Sequence, residues 1–262
     1  MVVDKIESSR KKVWPAPGFL AGRKALVTGG ARRLGRHLAR ALAEQGADIV
    51  LHYNQSDFEA HATADELRSR GVQVVLLQTD LVDSFMAEDL VYRASEAMDK
   101  PLDILINNAS QYGHGSAQTT SANTWDDFQN VNVRAPFIMA QTLFEVLGEE
   151  GRGDVINLND FRSLRAASDD FAYNMSKWGL HGLTRNLALA LAPRLRVNEL
   201  ALGAVLPPSP SSGDYKHTTR DEIPIGRFVT PAEVCSAMLF LLANEAMTGQ
   251  ILNMDGGQSL KC

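Results

Sequence analysis

The chain has 262 residues, of which 45% are hydrophobic, and this is enough for one large domain with a single core. Its 26 basic and 31 acidic residues give a net charge of -5, which offers no general attraction to nucleic acid or to an anionic membrane. No apolar run reaches the roughly 18 residues of a membrane span, and the first residues lack a signal-peptide core. The two cysteines, Cys235 and Cys262, have no partners at metal-ligand spacing. We therefore predict a cytoplasmic protein that binds a small molecule and holds no metal.

The predicted elements alternate between strands and helices. Residues 1–22 are polar and contain prolines, and we expect an N-terminal extension that is partly disordered. From Lys24 onward, short apolar runs predict strands and amphipathic segments predict helices. The predicted order is KALVT, helix 34–46, DIVLHY, helix 57–70, VQVVLLQT, helix 84–99, DILIN, helix 123–148, DVINLN, helix 170–192, RVNEL, helix 230–243 and QILNMD.

Continuous apolar strands are typical of a parallel sheet that is covered on both faces. The fold class predicted for residues 23–262 is therefore α/β, a single-domain doubly wound Rossmann fold with a seven-stranded parallel sheet flanked by helices. In such a sheet, ligands bind outside the carboxyl ends of the strands. The irregular segment at about 204–228 follows the sixth strand, and its position indicates a mobile lid over the ligand. After it, Thr230, Pro231 and Glu233 form the sequence pattern of a capping box.

The stretch TGGARRLG, from Thr28 to Gly35, joins the first strand to the first helix. Its glycines permit a tight turn, and the N–H groups at the start of the helix would face a pyrophosphate. The same glycines would also suit a packing turn without a ligand. Arg33 stands where such loops usually carry their middle glycine.

The end of the second strand favours NADP(H) over NAD(H). An acidic residue there would bind the ribose hydroxyls of NAD and repel a 2'-phosphate, yet His52, Asn54, Gln55 and Ser56 are all neutral. Arg32 in the glycine loop supplies a nearby cation that suits a phosphate. The alternative for Arg32 is a solvated surface charge.

The segment YNMSK places Tyr173 and Lys177 on one face of a helix. An ammonium group near a phenol lowers the pKa of the phenol toward neutrality, which suits a proton donor to a carbonyl or an imine. Asp160 precedes this pair by thirteen positions. Pairs of this spacing also occur by chance on helix surfaces.

These features, together with TDLVD, NNAS, NVNVRAPF, RVNELALG and MTGQILNMDGG, resemble the short-chain dehydrogenase/reductase family from Lys24 to Leu260. The resemblance implies the catalytic residues Asp160, Tyr173, Lys177 and Asn132, with Asn132 completing a proton relay through Lys177. It implies that NADP(H) is bound by Gly29, Arg32, Arg33, Leu34, Gly35, His52, Tyr53, Asn54, Ser56, Asp80, Leu81, Asn107, Ala109, Ser110, Tyr173, Lys177 and Gly203.

Two departures from the general family pattern resemble its pteridine reductase branch. Asp160 replaces the usual catalytic serine, and Arg33 replaces the middle glycine. The resemblance implies that a pterin is bound by Arg33, Ser110, Tyr112, Asp160 and Tyr173, with Tyr112 stacked on the ring. Two further positions depart from that branch, because Gln55 stands where it tends to have an arginine and LG at 202–203 replaces PG.

The main functional prediction is NADPH-dependent reduction of a ring C=N bond in a dihydrobiopterin-like or dihydrofolate-like pterin. The first alternative is an NADP(H)-dependent carbonyl reductase or alcohol dehydrogenase on a sugar, steroid or acyl thioester. Asp160 disfavours it, since a carboxylate opposes the negative charge that develops on a carbonyl oxygen. The second alternative is an NADP(H) sensor without turnover. We also expect a homotetramer, because helix 123–148 and the last helix are unusually apolar.

Overall fold

The computed structural model describes residues 16–98, 100–206 and 220–261. Seven strands form one parallel sheet: β1 (Lys24–Val27), β2 (Asp48–Tyr53), β3 (Val74–Gln78), β4 (Ile104–Asn107), β5 (Gly153–Asp160), β6 (Leu195–Leu202) and β7 (Ile251–Met254). Their order is β3-β2-β1-β4-β5-β6-β7, and every neighbouring pair is parallel. The strand order reverses between β1 and β4, which is where a doubly wound sheet opens its ligand crevice. The predicted fold class is confirmed.

The α-helices of the described residues are α1 (Arg33–Glu44), α2 (Asp57–Arg68), α3 (Ser84–Glu96), α4 (Ala122–Gln129), α5 (Ala135–Val146), α6 (Phe171–Ala190) and α7 (Pro231–Ala243). A capping box at Thr230 and Glu233 starts α7, as the sequence predicts. None of the helices in the described part of the chain has the length and apolar content of a membrane span.

The core consists of two apolar layers, one on each face of the sheet. Successive residues of β1 divide between them, since Ala25 and Val27 face one layer and Leu26 faces the other. Helices α1, α2 and α7 cover the first layer, and α3, α5 and α6 cover the second. Burial on both faces explains why the strands are continuously apolar.

Two predicted segments differ in the structure. The predicted helix 123–148 is not continuous, because a π-helical turn at Asn130–Arg134 separates α4 from α5. Ordered structure also begins earlier than predicted, since Leu20 is buried and its N–H donates to the Gln45 carbonyl at 3.0 Å. Residues 1–15 of the extension and 207–219 of the predicted lid lie outside the described residues.

Candidate active site

A cavity of ≈ 590 Å³ lies at the carboxyl ends of β1 to β4. Most of the predicted cofactor residues line it, namely Gly29, Arg32, Arg33, Leu34, Gly35, His52, Tyr53, Asn54, Ser56, Asp80, Leu81, Ala109 and Ser110. The sequence interpretation did not assign cofactor contacts to the other lining residues, which are Ala31, Gln55, Thr79, Val82, Asn108, Gln111 and Val131. Asn108 and Gln111 lie in and directly after the motif NNAS, so that motif was a usable signal for them.

The glycine loop has no room for side chains at its two ends. Gly29 adopts a φ of 61°, and a Cβ on Gly35 would lie only 2.1 Å from the Gly29 carbonyl oxygen. The Asn108 amide braces the loop, because Nδ2 donates to the carbonyls of Thr28 (2.8 Å) and Gly29 (3.1 Å). The loop therefore brings its backbone close to the cavity, as a pyrophosphate site requires.

Arg33 occupies a backbone conformation that usually selects glycine. Its φ is 51°, and only Asp170 shares a positive φ among the described non-glycine residues. A left-handed conformation costs a side-chain-bearing residue about 1–2 kcal/mol. Arg33 is exposed and lines the cavity, so the strained backbone carries a guanidinium at the ligand crevice.

His52 supports the glycine loop from the interior. Its Nδ1 accepts the Gly29 N–H at 3.1 Å, and its Nε2 lies 3.0 Å from the Thr79 carbonyl oxygen. Burial lowers the pKa of His52 to about 4, although the Thr79 carbonyl and the charge of Asp80 oppose the shift. The neutral ring therefore ties β1 to β3 and brings no charge to the cavity.

The end of β2 is polar and neutral. The Tyr53 hydroxyl donates to Asp57 at 2.8 Å, and the side chain of Ser56, at the N-cap of α2, makes no capping hydrogen bond. Arg32 is exposed at the N-cap of α1, and the described residues offer it no carboxylate partner. These groups leave room and positive charge for a phosphate at this end of the cavity.

Asp160 and Tyr173 are in direct contact. The Tyr173 hydroxyl donates to Asp160 Oδ2 at 2.9 Å, and the Arg162 N–H donates to Oδ1 at 2.9 Å. Burial, the charge of Asp160 and this hydrogen bond raise the pKa of Tyr173 well above its ordinary value. The expectation that Lys177 lowers this pKa toward neutrality is therefore wrong. Tyr173 holds its proton, which a proton donor must do.

Lys177 lies one turn after Tyr173 on α6. Its ammonium is 5.6 Å from the centre of the Tyr173 ring and donates to the Leu158 carbonyl at 3.3 Å. Burial lowers the pKa of Lys177 to about 8, while the charges of Asp160 and Glu199 act against this shift. The lysine thus stays close to the boundary between its two charge states at neutral pH.

Asn132 lies in the π-helical turn and joins three segments. Its Oδ1 accepts from the Gln111 N–H (2.8 Å) and from Ser110 Oγ (3.2 Å), while Nδ2 donates to the Gln111 carbonyl and to Ser176 Oγ, both at 2.9 Å. These bonds connect the cavity-lining residues 110–111 to the residue before Lys177. Asn132 is not hydrogen-bonded to Lys177 itself in the structure.

Four predicted cofactor residues do not line the cavity, namely Asn107, Tyr173, Lys177 and Gly203. Asn107 is buried and its amide donates to Asn157 at 2.8 Å, so Asn108 takes the cavity position. Gly203 instead packs closely on the turn after β7, where a Cβ would lie 2.7 Å from the Asp255 Cα. Its N–H donates to the Met254 carbonyl at 3.0 Å.

Tyr112 lies against Tyr173, the predicted proton donor. The two rings meet edge to face, with centres 4.9 Å apart and planes at 77°. The Tyr112 hydroxyl donates to Asp170 at 3.0 Å. The hydroxyl is thus anchored on the side of Asp170, and Tyr112 is only half-buried.

The cavity suits a polar ligand. The buried Oγ1 of Thr79 has no hydrogen-bond partner within the described residues, and Thr79 lines the cavity. A ligand with hydroxyl or phosphate groups would supply the missing partner. In residues 16–98, 100–206 and 220–261 no group of His, Cys, Asp and Glu side chains has the arrangement of a metal site.

Comparison with known proteins adds independent information. The family model described as enoyl-(acyl carrier protein) reductase matches residues 29–259. The uncharacterized oxidoreductase YmfI of Bacillus subtilis is 30% identical over 239 residues, which are 89% of this chain and 97% of that protein. A 3-oxoacyl-[acyl-carrier-protein] reductase, FabG, of Staphylococcus epidermidis is 27% identical over 90% of this chain and 98% of its own.

The similar solved structures include one described as an alternative dihydrofolate reductase. FolM alternative dihydrofolate reductase 1 from Brucella canis, crystallised with NADP, superposes with a TM-score of 0.85 at 33% identity and covers 93% of this chain and 96% of its own. The NADP(H) predicted for this chain agrees with the cofactor of that structure. Since this family model matches residues 29–259, which are most of the chain, and a relative is 30% identical over 89% of the chain, the chain belongs to the short-chain dehydrogenase/reductase family.

Proposed function

We propose that the protein reduces a ring C=N bond of a pterin, of the dihydrobiopterin or dihydrofolate kind, with NADPH. The observation that carries this proposal is the 2.9 Å hydrogen bond from Tyr173 to a carboxylate, Asp160, at the position where the carbonyl reductases of this family have a serine. A carboxylate tolerates the basic ring nitrogen of a pterin better than the oxyanion of a ketone. The likeness to FolM supports the same substrate class.

NADPH fits the cavity at the carboxyl ends of β1 to β4, and when bound it supplies the hydride. The close-packed loop from Gly29 to Gly35 would hold the pyrophosphate, with its N–H groups at the start of α1. Arg32, together with the neutral residues after β2, would accept the 2'-phosphate. Lys177 would hold the nicotinamide ribose.

Tyr173 would give its proton to the substrate. Its raised pKa keeps the phenol protonated, and the hydroxyl, which donates to Asp160 in the structure, would turn its proton to the substrate nitrogen as that nitrogen becomes basic. Lys177, with a pKa lowered to about 8, exchanges protons readily near neutral pH and would help to restore the proton on Tyr173.

The substrate would lie between Arg33, Ser110 and Tyr112. Arg33 and Ser110 line the cavity and offer hydrogen-bond donors to a polar heterocycle. Tyr112 supplies an aromatic face that a flat ring can stack on. Its contact with Tyr173 keeps that face next to the proton donor.

Steady-state kinetics test the proposal directly. The wild type should oxidise NADPH with dihydrobiopterin or dihydrofolate and show little activity on simple ketones. Tyr173→Phe should lower kcat by roughly a hundredfold or more, the usual scale for a lost general acid. Tight NADPH binding without turnover of any substrate would contradict the proposal and support a sensor.

A carbonyl reductase is the second candidate, and the likeness to a 3-oxoacyl-[acyl-carrier-protein] reductase favours it. The variant Asp160→Ser separates the two. Under the pterin proposal it lowers pterin reduction and leaves or raises any ketone activity, because a serine hydroxyl can donate to a carbonyl oxygen. A serine variant that retains full pterin reduction would make Asp160 incidental.

The proposal includes a homotetramer. Helix α6 exposes Met175, Trp178 and Leu189, and α5 and α7 expose Phe137 and Phe240. Helices α5 and α6 lie on one side of the sheet and α7 on the other, so the chain has two exposed apolar faces. Exposed large apolar side chains are typical of faces that pack against other subunits. Light scattering at micromolar concentration measures the assembly, and a monomer would contradict this part of the proposal.

A further inference from the structure

Asp170 is a buried carboxylate that three side chains approach. It accepts from Arg162 Nη1 at 2.6 Å and from the Tyr112 hydroxyl at 3.0 Å, and His114 Nδ1 lies 2.8 Å from its other oxygen. Burial would raise the pKa of Asp170, but the hydrogen bonds from His114, Arg162 and Tyr112 outweigh it and lower the pKa. Asp170 therefore stays ionised, with a φ of 49° at the start of α6.

The contacts of Asp170 return to the catalytic pair by two routes. Through Arg162 they reach Asp160, which accepts the Arg162 backbone N–H at 2.9 Å. Through Tyr112 they reach Tyr173, whose ring is 4.9 Å away. Because Tyr173 also donates to Asp160, the five residues form a closed ring of contacts. This ring joins the segment after β4, the segment after β5 and the start of α6.

We propose that Asp170 is a positioning residue, which sets both the place of Tyr112 beside the substrate and the local charge at Asp160 and Tyr173. The proposal rests on the proposed function for the role of Tyr112. Its electrostatic part holds for any substrate that Tyr173 protonates.

The charges around Tyr173 determine the direction in which the pH profile should move when Asp170 or Arg162 is replaced. Arg162 is the cation that Asp170 holds beside Asp160; burial would lower its pKa, but the charges of Asp160 and Asp170 raise it. The other charged or titratable groups around Tyr173 are Lys177, Tyr112 and, beyond them, His114. Removing the charge of Asp170 makes the site more positive, so every titrating group there loses its proton at lower pH. Removing the charge of Arg162 makes the site more negative, so the same groups lose their protons at higher pH.

The test uses the full-length protein with NADPH and the pH dependence of kcat. Asp170→Asn keeps the shape, and asparagine tolerates the left-handed backbone. We expect its profile to move to lower pH by on the order of one unit, and that of Arg162→Met to move to higher pH. The matched control is Asp169→Asn, which makes the same change at an exposed neighbour and should leave the profile in place.

A purely structural role would lower activity in both variants without shifts of opposite sign. Equal shifts, or none, in Asp170→Asn and Arg162→Met would therefore overturn the proposal. If Asp170→Asn fails to fold, Tyr112→Phe decides, because it removes only the hydroxyl that Asp170 holds. It should raise the substrate KM severalfold with little change in kcat, and an unchanged KM would overturn the proposal.

The assay separates this proposal from the proposed function. If the wild type reduces a ketone and no pterin, the pterin assignment fails, and the opposite pH shifts are measured on the ketone. If it turns over neither, the same shifts are read from the pH dependence of the NADPH dissociation constant. Opposite shifts then support Asp170 as a positioning residue, and their absence overturns it.

Discussion

Gly35→Ala tests whether the close packing of the glycine loop forms the cofactor site. The added Cβ would lie 2.1 Å from the Gly29 carbonyl oxygen and 2.7 Å from Asn108 Nδ2, so the loop has to move by about 1 Å. That movement breaks the hydrogen bonds of Gly29 to Asn108 and to His52, each worth about 1 kcal/mol. Overpacking adds about 1–3 kcal/mol, and the better helix propensity of alanine returns about 1 kcal/mol. The expected loss of stability is roughly 2–4 kcal/mol.

The same movement displaces the N–H groups that would face the pyrophosphate. We expect the NADPH dissociation constant, measured by cofactor fluorescence, to rise at least about tenfold, which is about 1.4 kcal/mol of binding free energy. Urea unfolding measures the stability. The control is Gly182→Ala within α6, where a Cβ would meet nothing within 4 Å and should stabilise by about 1 kcal/mol. A Gly35→Ala variant with wild-type stability and NADPH affinity would refute the reasoning.

Three further predictions concern the cavity and its support. Arg32→Ala should weaken NADPH selectively while leaving NADH unchanged, and a wild type with the higher kcat/KM for NADH would contradict the assignment of the 2'-phosphate. Tyr112→Ala should raise the pterin KM far more than it lowers kcat, since stacking serves ground state and transition state alike; an unchanged KM would remove Tyr112 from the substrate site. His52 has a folded-state pKa of about 4 against 6.5 when unfolded, so it contributes about 3 kcal/mol of stability above pH 6.5 that is lost as pH falls toward 4. Urea titrations across this range should show a flatter pH dependence for His52→Asn, and an unchanged slope would contradict the role.

The sheet could be predicted from the sequence because strands that are buried on both faces are continuously apolar. Strands β1 and β4 are short apolar runs whose residues are all buried, and no alternating pattern competes with them. The start of α7 was predictable for a different reason, since the capping box at Thr230 acts within four residues. A capping box and a continuously apolar strand can both be read from neighbouring residues in the sequence, without knowledge of tertiary contacts.

The break between α4 and α5 could not be predicted in this way. The segment from Asn130 to Arg134 has no proline or glycine, and its polar and apolar residues continue the helical pattern. The local sequence does not show why this turn is π-helical. In the structure, the turn lets Asn132 contact Gln111 and Ser176, which belong to two other segments. Such a turn is typical of functional sites, and only the assembled fold brings its partners together.

The prediction of the Tyr173 pKa was wrong for the same reason. From the spacing of Tyr173 and Lys177 alone, the ammonium should dominate and lower the phenol pKa, yet burial and Asp160 determine it and raise it. Asp160 stands thirteen residues away, and the cation beside it, Arg162, is kept there by Asp170 from the start of α6. In the sequence, both residues of that ion pair fall in a polar loop, FRSLRAASDD, where charges are normally solvated. A pKa sums the interactions of groups that the chain brings together from several strand ends, so the motif alone was enough to propose Tyr173 as a proton donor, whereas its protonation state could be assigned only from the fold.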